Sequence, residues 1–213
     1  MKKNSIDVIF FDLGRVIVDF NHYQIAEKLL PAKYTNETLD PKVIFDHIFH
    51  PIRGLCCDYN AGKIPPEDFY NALRLKFGFD FSFDEFVPIW SEIFTENRDV
   101  TRMINELAGH FRLFLISDTD PLHFSYILKN FPVLNLFQGW VLSYEVGCCK
   151  PNEKIYQTAL ERAGIQACQS VYIDDVAEYI AAAGKIGIQG IHFTSAIVLK
   201  EALEDILPFH FSN

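Results

Sequence analysis

Residues 6–14 read I-D-V-I-F-F-D-L-G, an apolar run rich in β-branched and aromatic side chains that is closed by Gly14. That pattern predicts a strand buried on both faces, with Asp12 at its tip. Runs of the same kind recur at 111–116, 139–143, 170–173 and 188–193. Between them the apolar residues return at helical spacing: Val100, Met103, Ile104 and Leu107 before the second run, and Ile155, Tyr156, Ala159, Leu160 and Ala163 before the fourth. Alternating strands and helices predict an α/β architecture, a parallel sheet layered between helices with right-handed crossovers. In such sheets ligands bind beyond the carboxyl ends of the strands.

Residues 21–97 read differently, with helical spacing and no convincing buried strand. Phe69, Leu73 and Phe77 make one stripe; Phe83, Phe86, Val87, Trp90 and Phe94 make another. The segment leaves after the first strand tip and returns before the second run, so it is expected to sit over the carboxyl edge as a helical cap. The division expected is a core of residues 1–20 and 98–213 and a cap of residues 21–97, with hinges near 18–21 and 96–100.

The chain has 213 residues, 49% hydrophobic and 22% charged, which excludes a disordered tail or a disulfide miniprotein. Its formal charge of −9 repels nucleic-acid backbones and anionic lipid, so neither is an expected partner. Five cysteines fall at 56–57, 148–149 and 168 without C-x-x-C spacing, and reduced thiols are expected. Cys148-Cys149 adjoins Lys150, a placement that would make the neighbourhood sensitive to oxidation. The start, Met1-Lys2-Lys3, looks superficially like a signal peptide, but Asp7 and Asp12 interrupt its apolar stretch. A cytoplasmic protein is expected.

No P-loop, G-x-S-x-G or H-E-x-x-H motif is present. What remains is polar residues at strand ends: Asp12 after the first run, Ser117-Asp118-Thr119 after the second, Lys150-Pro151 beyond the third and Asp174-Asp175 after the fourth. Singly, each is an ordinary helix cap or solvated residue. Together they belong to one edge. Carboxylates about 4 Å apart repel by roughly 4 kcal/mol per pair at an effective dielectric of 20, so they need a cation. Oxygen donors without His or Cys select Mg²⁺, which shares its site with substrate phosphate. Lys150 then neutralises phosphate oxygens, the Ser117 hydroxyl donates to them, and Asp12 is left as nucleophile.

The four segments F-F-D-L-G (10–14), S-D-T (117–119), K-P (150–151) and I-D-D (173–175) resemble the motifs of the haloacid dehalogenase superfamily. That resemblance implies a Rossmann-like core with an inserted helical cap and a Mg²⁺-dependent phosphatase acting on a small phosphorylated metabolite through an aspartyl-phosphate. It makes Asp12 the nucleophile, gives Ser117, Asp118 and Lys150 to substrate binding, and gives the metal to Asp12, the Gly14 carbonyl and Asp175 with Asp174 in support. The stretches F-D-L-G-R-V-I-V-D-F and A-G-K-I-P-P-E-D-F are similar to the branch containing bacterial α-glucose-1-phosphate phosphatase and the phosphatase domain of epoxide hydrolases.

One departure is Gly14, where most phosphatases of the superfamily carry a second Asp as general acid and base; Asp118 is a conceivable substitute. Dehalogenation by Asp12 attack on carbon is the alternative enzymatic reading, and a catalytically silent relative that binds a phosphorylated ligand or partner is the third. In the cap, Arg53, Asp58, Tyr59, Asn60 and Lys63 form a polar patch that either faces the substrate or is a solvated loop, and the loop is the expected reading. Arg15 and Asp19 either pair or line the cap entrance. The seven histidines read as surface or boundary residues, with His123 set apart by its nearness to Ser117.

Overall fold

A computed structural model describes residues 5–30, 40–51 and 54–212. Five parallel strands form the central sheet: β1 (Val8–Phe11), β4 (Arg112–Ser117), β5 (Gly139–Leu142), β6 (Ser170–Asp174) and β7 (Gln189–His192). Their order is β5-β4-β1-β6-β7, so β1 lies in the middle, paired with β4 on one side and β6 on the other. This is the alternating α/β pattern read from the five apolar runs.

Side chains alternate across the sheet. Ile9, Phe11, Leu115, Val171 and Ile173 face α6 (Arg98–Leu107), α7 (Pro121–Asn130) and α11 (Ala196–Ile206). Val8, Phe10, Ile116, Val141 and Tyr172 face α9 (Glu153–Ala163) and α10 (Ala177–Lys185). Both faces are thus covered, and only the strand ends remain for polar work. Helix starts follow local chemistry: Asn97, Asp120, Asn152 and Ser195 each accept a backbone N–H of the first turn.

A second apolar cluster is built by α1 (Tyr23–Leu29), α2 (Pro41–Phe49), α3 (Leu55–Asn60), α4 (Pro66–Phe77) and α5 (Phe83–Ser91). Its centre is aromatic. The Tyr59 and Phe69 rings stack at 4.1 Å, and Phe69 meets Trp90 edge-on at 4.7 Å. The Ser82–Glu85 capping box starts α5.

Two expectations change here. Phe94 does not extend the α5 stripe, because the helix stops at Ser91 and Phe94–Glu96 forms a strand, β3. It pairs antiparallel with β2 (Val18–Phe20), a ribbon that holds the outgoing and returning chain side by side. Tyr59 is not in a solvated loop. It lies on α3 fully buried, since stacking on Phe69 takes its ring into the aromatic centre.

Beyond α3, Gly62 has φ +68°, and a Cβ there would come within 2.1 Å of the Tyr144 carbonyl oxygen. Tyr144 belongs to α8 (Ser143–Val146), so only a glycine lets the helical segment press this closely on the sheet side.

Candidate active site

The strand ladder fixes the tips. Asp12 follows β1, and its N–H donates to the Ile173 carbonyl of β6 at 2.8 Å. Ser117 ends β4 and is buried; the Thr119 N–H beyond it donates to Ser143 Oγ at 3.0 Å. Lys150 arrives from the loop after α8, and its backbone N–H donates to Asp118 Oδ1 at 3.0 Å. Asp174 ends β6 fully buried, its Oδ1 accepting the Val176 N–H at 2.7 Å.

These residues meet at Lys150. Its Nζ donates to Asp12 Oδ1 at 2.7 Å and to Asp174 Oδ2 at 2.8 Å. Tyr172, two residues back along β6 and therefore on the same face as Asp174, donates its hydroxyl to Asp174 Oδ2. The ammonium also lies 4.9 Å from the Tyr179 ring centroid. The two tyrosines were not singled out from the sequence, although the period-two spacing of Tyr172 and Asp174 carried that signal.

Four carboxyls share this edge with one ammonium. Burial pushes Asp12 up to about 7 despite the opposing pull of Lys150. It likewise pushes Asp118 up to about 6 and raises Asp175, to which Asp174 adds its charge. Burial alone would lower Lys150, but Asp12, Tyr172, Asp174 and Asp118 hold its pKa well above the usual lysine value. Carboxyls pushed upward in this way signal unmet demand for positive charge.

Oxygen atoms of Asp12, Asp174 and Asp175 all lie within 4.8 Å of one another. Among the described residues no thiol or imidazole joins them, and an all-oxygen set this tight fits a hard divalent cation.

Gly14 follows from its neighbour. A Cβ at residue 14 would fall 2.8 Å from a ring carbon of Phe20, so the phenyl group occupies the room a side chain would need. Arg15 has φ 61°, and its guanidinium sits 4.3 Å from the Phe20 centroid while pairing with Asp19 at 3.5 Å. Of the two readings for Arg15 and Asp19, pairing is what the structure shows.

Two cavities open here, each lined from both sides. The smaller, about 70 Å³, touches Leu13, Gly14 and Ser117 beneath Phe20 and Phe94. The larger, about 570 Å³, runs past Lys150 and Tyr179 toward His50, Lys63 and the Cys56-Cys57 and Cys148-Cys149 pairs. Asn60 and Lys63 of the polar patch therefore reach a cavity, although Lys63 Nζ is held by Asp58 at 2.8 Å; Arg53 lies outside the described residues, as do Met1, Lys2 and Lys3. All five cysteines are free thiols. Burial pushes Cys149 up to about 12 and raises Cys56 and Cys148, which favours the thiol form of each.

His123 is neither a surface nor a boundary residue. It is 5% exposed on α7, stacked at 4.9 Å on Trp90 of α5. Its Nδ1 lies 2.8 Å from Asp120 Oδ2 and its Nε2 2.8 Å from the Trp90 carbonyl oxygen. Trp90 Nε1 donates to the same Asp120 oxygen at 3.1 Å. Asp120 is fully buried, and although burial alone would raise its pKa, His123 and these donors bring it below the usual carboxylate value. The lone pattern D-P-L-H hides this joint because its third partner is thirty residues upstream.

The chain was compared with known proteins. The family model described as haloacid dehalogenase-like hydrolase matches residues 9–193. A sesquiterpene phosphatase of Aspergillus oryzae is 24% identical over 204 residues, covering 92% of this chain and 94% of that protein. A D-ribitol-5-phosphate phosphatase of Bacteroides thetaiotaomicron is 23% identical over 189 residues, covering 85% and 88% respectively. Among solved structures, a HAD family enzyme of Bacteroides thetaiotaomicron in complex with magnesium and inorganic phosphate matches with a TM-score of 0.75 and 23% identity, over 89% of this chain and 95% of that one. That likeness is one of fold. Because the family match runs from within β1 to the residue beyond β7, the chain belongs to the haloacid dehalogenase-like hydrolases.

Proposed function

We propose that this protein is a Mg²⁺-dependent phosphatase that hydrolyses a small phosphorylated metabolite through a phosphoryl group carried on Asp12. The observation that carries the reading is the Lys150 ammonium held between Asp12 and Asp174, whose oxygens lie with one of Asp175 within 4.8 Å of one another. The phosphatase names among its relatives support the same chemistry.

Asp12 supplies an oxygen that attacks phosphorus from a position fixed by the β1–β6 ladder. Lys150, already 2.7 Å from that carboxylate, neutralises phosphoryl oxygens, and the buried Ser117 hydroxyl donates to another. Asp12 must be ionised to attack, and Lys150 opposes the burial that pushes it up. Asp12, the Gly14 carbonyl and Asp175, supported by Asp174, would hold Mg²⁺, which supplies charge neutralisation at the reacting phosphate. Water then displaces Asp12 and releases inorganic phosphate.

In this reading residues 21–97 work as a cap over a core of residues 1–20 and 98–213, and the two cavities hold phosphate and leaving group. The free thiols suit a reducing, cytoplasmic setting. Among the described residues no helix is long and apolar enough to cross a membrane.

The test is phosphate release from a panel of sugar phosphates, nucleotides and phospho-acids. Release is expected to need Mg²⁺, to stop with EDTA, and to fall about 10⁴-fold or more in Asp12→Asn. Displacement at carbon from a haloacid would continue in EDTA, and wild-type protein silent across the panel would leave only a binding role.

A further inference from the structure

An alkoxide is a poor leaving group, so a phosphatase of alkyl esters needs a proton donor beside the scissile oxygen. Residue 14 offers no side chain for this, and Phe20 fills the space above it. The donor has to come from elsewhere in the cavity walls.

Leu13, Gly14 and Ser117 line the small cavity and Lys150 the larger one, so a phosphoryl group that touches both Ser117 and Lys150 sits between the two, beside the residues that line both. Four residues line both cavities: His22, Cys56, Asn60 and Asp118. Resting on the phosphatase reading above, we propose that Asp118 is the general acid and base of the reaction. Its Oδ1 is anchored by the Lys150 N–H at 3.0 Å, which aims the carboxyl, and its Oδ2 has no hydrogen bond among the described residues.

The other three are poorly suited. Asn60 carries no ionisable proton. Burial depresses His22 to about 3, leaving a neutral ring at working pH, and raises the Cys56 thiol well above its usual value. Asp118, pushed up to about 6 chiefly by burial, holds a proton far more readily than an exposed aspartate.

The step balances. As Asp12 Oδ bonds to phosphorus, the ester P–O bond breaks and its electron pair takes the Asp118 proton, giving a neutral alcohol. The Asp118 carboxylate then accepts a proton from water as that water bonds to phosphorus and the Asp12–phosphorus bond breaks. Phosphate leaves with Asp118 protonated again.

The experiment compares first-turnover rates of the Mg²⁺-loaded protein and its Asp118→Asn variant on p-nitrophenyl phosphate, whose leaving group departs unaided, and on a sugar-alcohol phosphate. Asn keeps an oxygen for the Lys150 N–H, and melting temperature checks the fold; Asp118→Ser makes the same comparison if Asn does not fold. The expected result is that the alkyl-to-aryl rate ratio falls about 10²-fold or more in the variant. Equal losses on both substrates, or no loss on either, overturn the proposal while Asp12-dependent wild-type turnover leaves the phosphatase reading standing. A wild type that releases no phosphate, or release unchanged in Asp12→Asn, overturns both.

Discussion

The carboxyl edge of the sheet and the helical segment above it are held by different forces. At the edge, Asp12 and Asp174 are placed by parallel ladders whose register leaves little freedom, Lys150 is brought to them by the loop after α8, and their charges are balanced by contacts of 2.7 and 2.8 Å. In α1–α5 the ordering comes from ring stacking around Phe69, Phe86 and Trp90, and a buried polar link joins this cluster to the core through Asp120 and His123. Charge fixed by backbone is costly to disturb and local in effect. Ring packing spreads a disturbance through its own cluster while leaving the ladders intact.

Removing the ammonium strikes the first region hardest. Lys150→Met strands Asp12 and Asp174 as buried carboxyls without a cation, and a loss of about 3–5 kcal/mol is expected. In a chain of this size that is a melting-temperature drop on the order of 10 °C by calorimetry. An unchanged melting temperature would show that the edge does not depend on that ion pair.

Trp90→Phe retains a ring but removes the Nε1 donor to Asp120, with an expected loss of about 1–3 kcal/mol. Amide exchange should speed up across α1–α5 while β1, β4 and β6 keep their protection. Equal loss of protection in the sheet would erase the contrast between the two regions.

The smallest effect concerns His22, whose ring stacks on Phe49 at 4.3 Å and is held near pKa 3 by burial and then by His123. The folded protein keeps it neutral while the unfolded chain protonates it near 6.5. Stability from this group is therefore present above pH 6.5 and lost as pH falls, by about 1 kcal/mol between pH 6.5 and 5.5. Denaturant titrations of wild type and His22→Phe should differ by that slope, and parallel pH profiles would remove His22 from the account.

The same contrast decides what the sequence could tell. Strand tips are legible because a polar residue closing an apolar run is locally anomalous, and Asp12, Ser117 and Asp174 stand out in this way, whereas Lys150, eight residues beyond β5, was marked by its place after the third run. The segment of α1–α5 was visible only as helical stripes. Tyr59 and His123 looked solvated because their partners, Phe69 and Trp90, come from other helices and no local spacing announces them. The β2–β3 ribbon was hidden for a related reason: three-residue strands separated by α1–α5 carry no periodicity of their own.

The contact between Gly14 and Phe20 couples what these two positions can hold. The Phe20 ring also supports the Arg15 guanidinium and lies 4.4 Å from the His22 ring, so moving it disturbs both. A carboxylate side chain at residue 14 would require that phenyl group to shift. An engineer wishing to place an acid at residue 14 should therefore design residue 20 together with it.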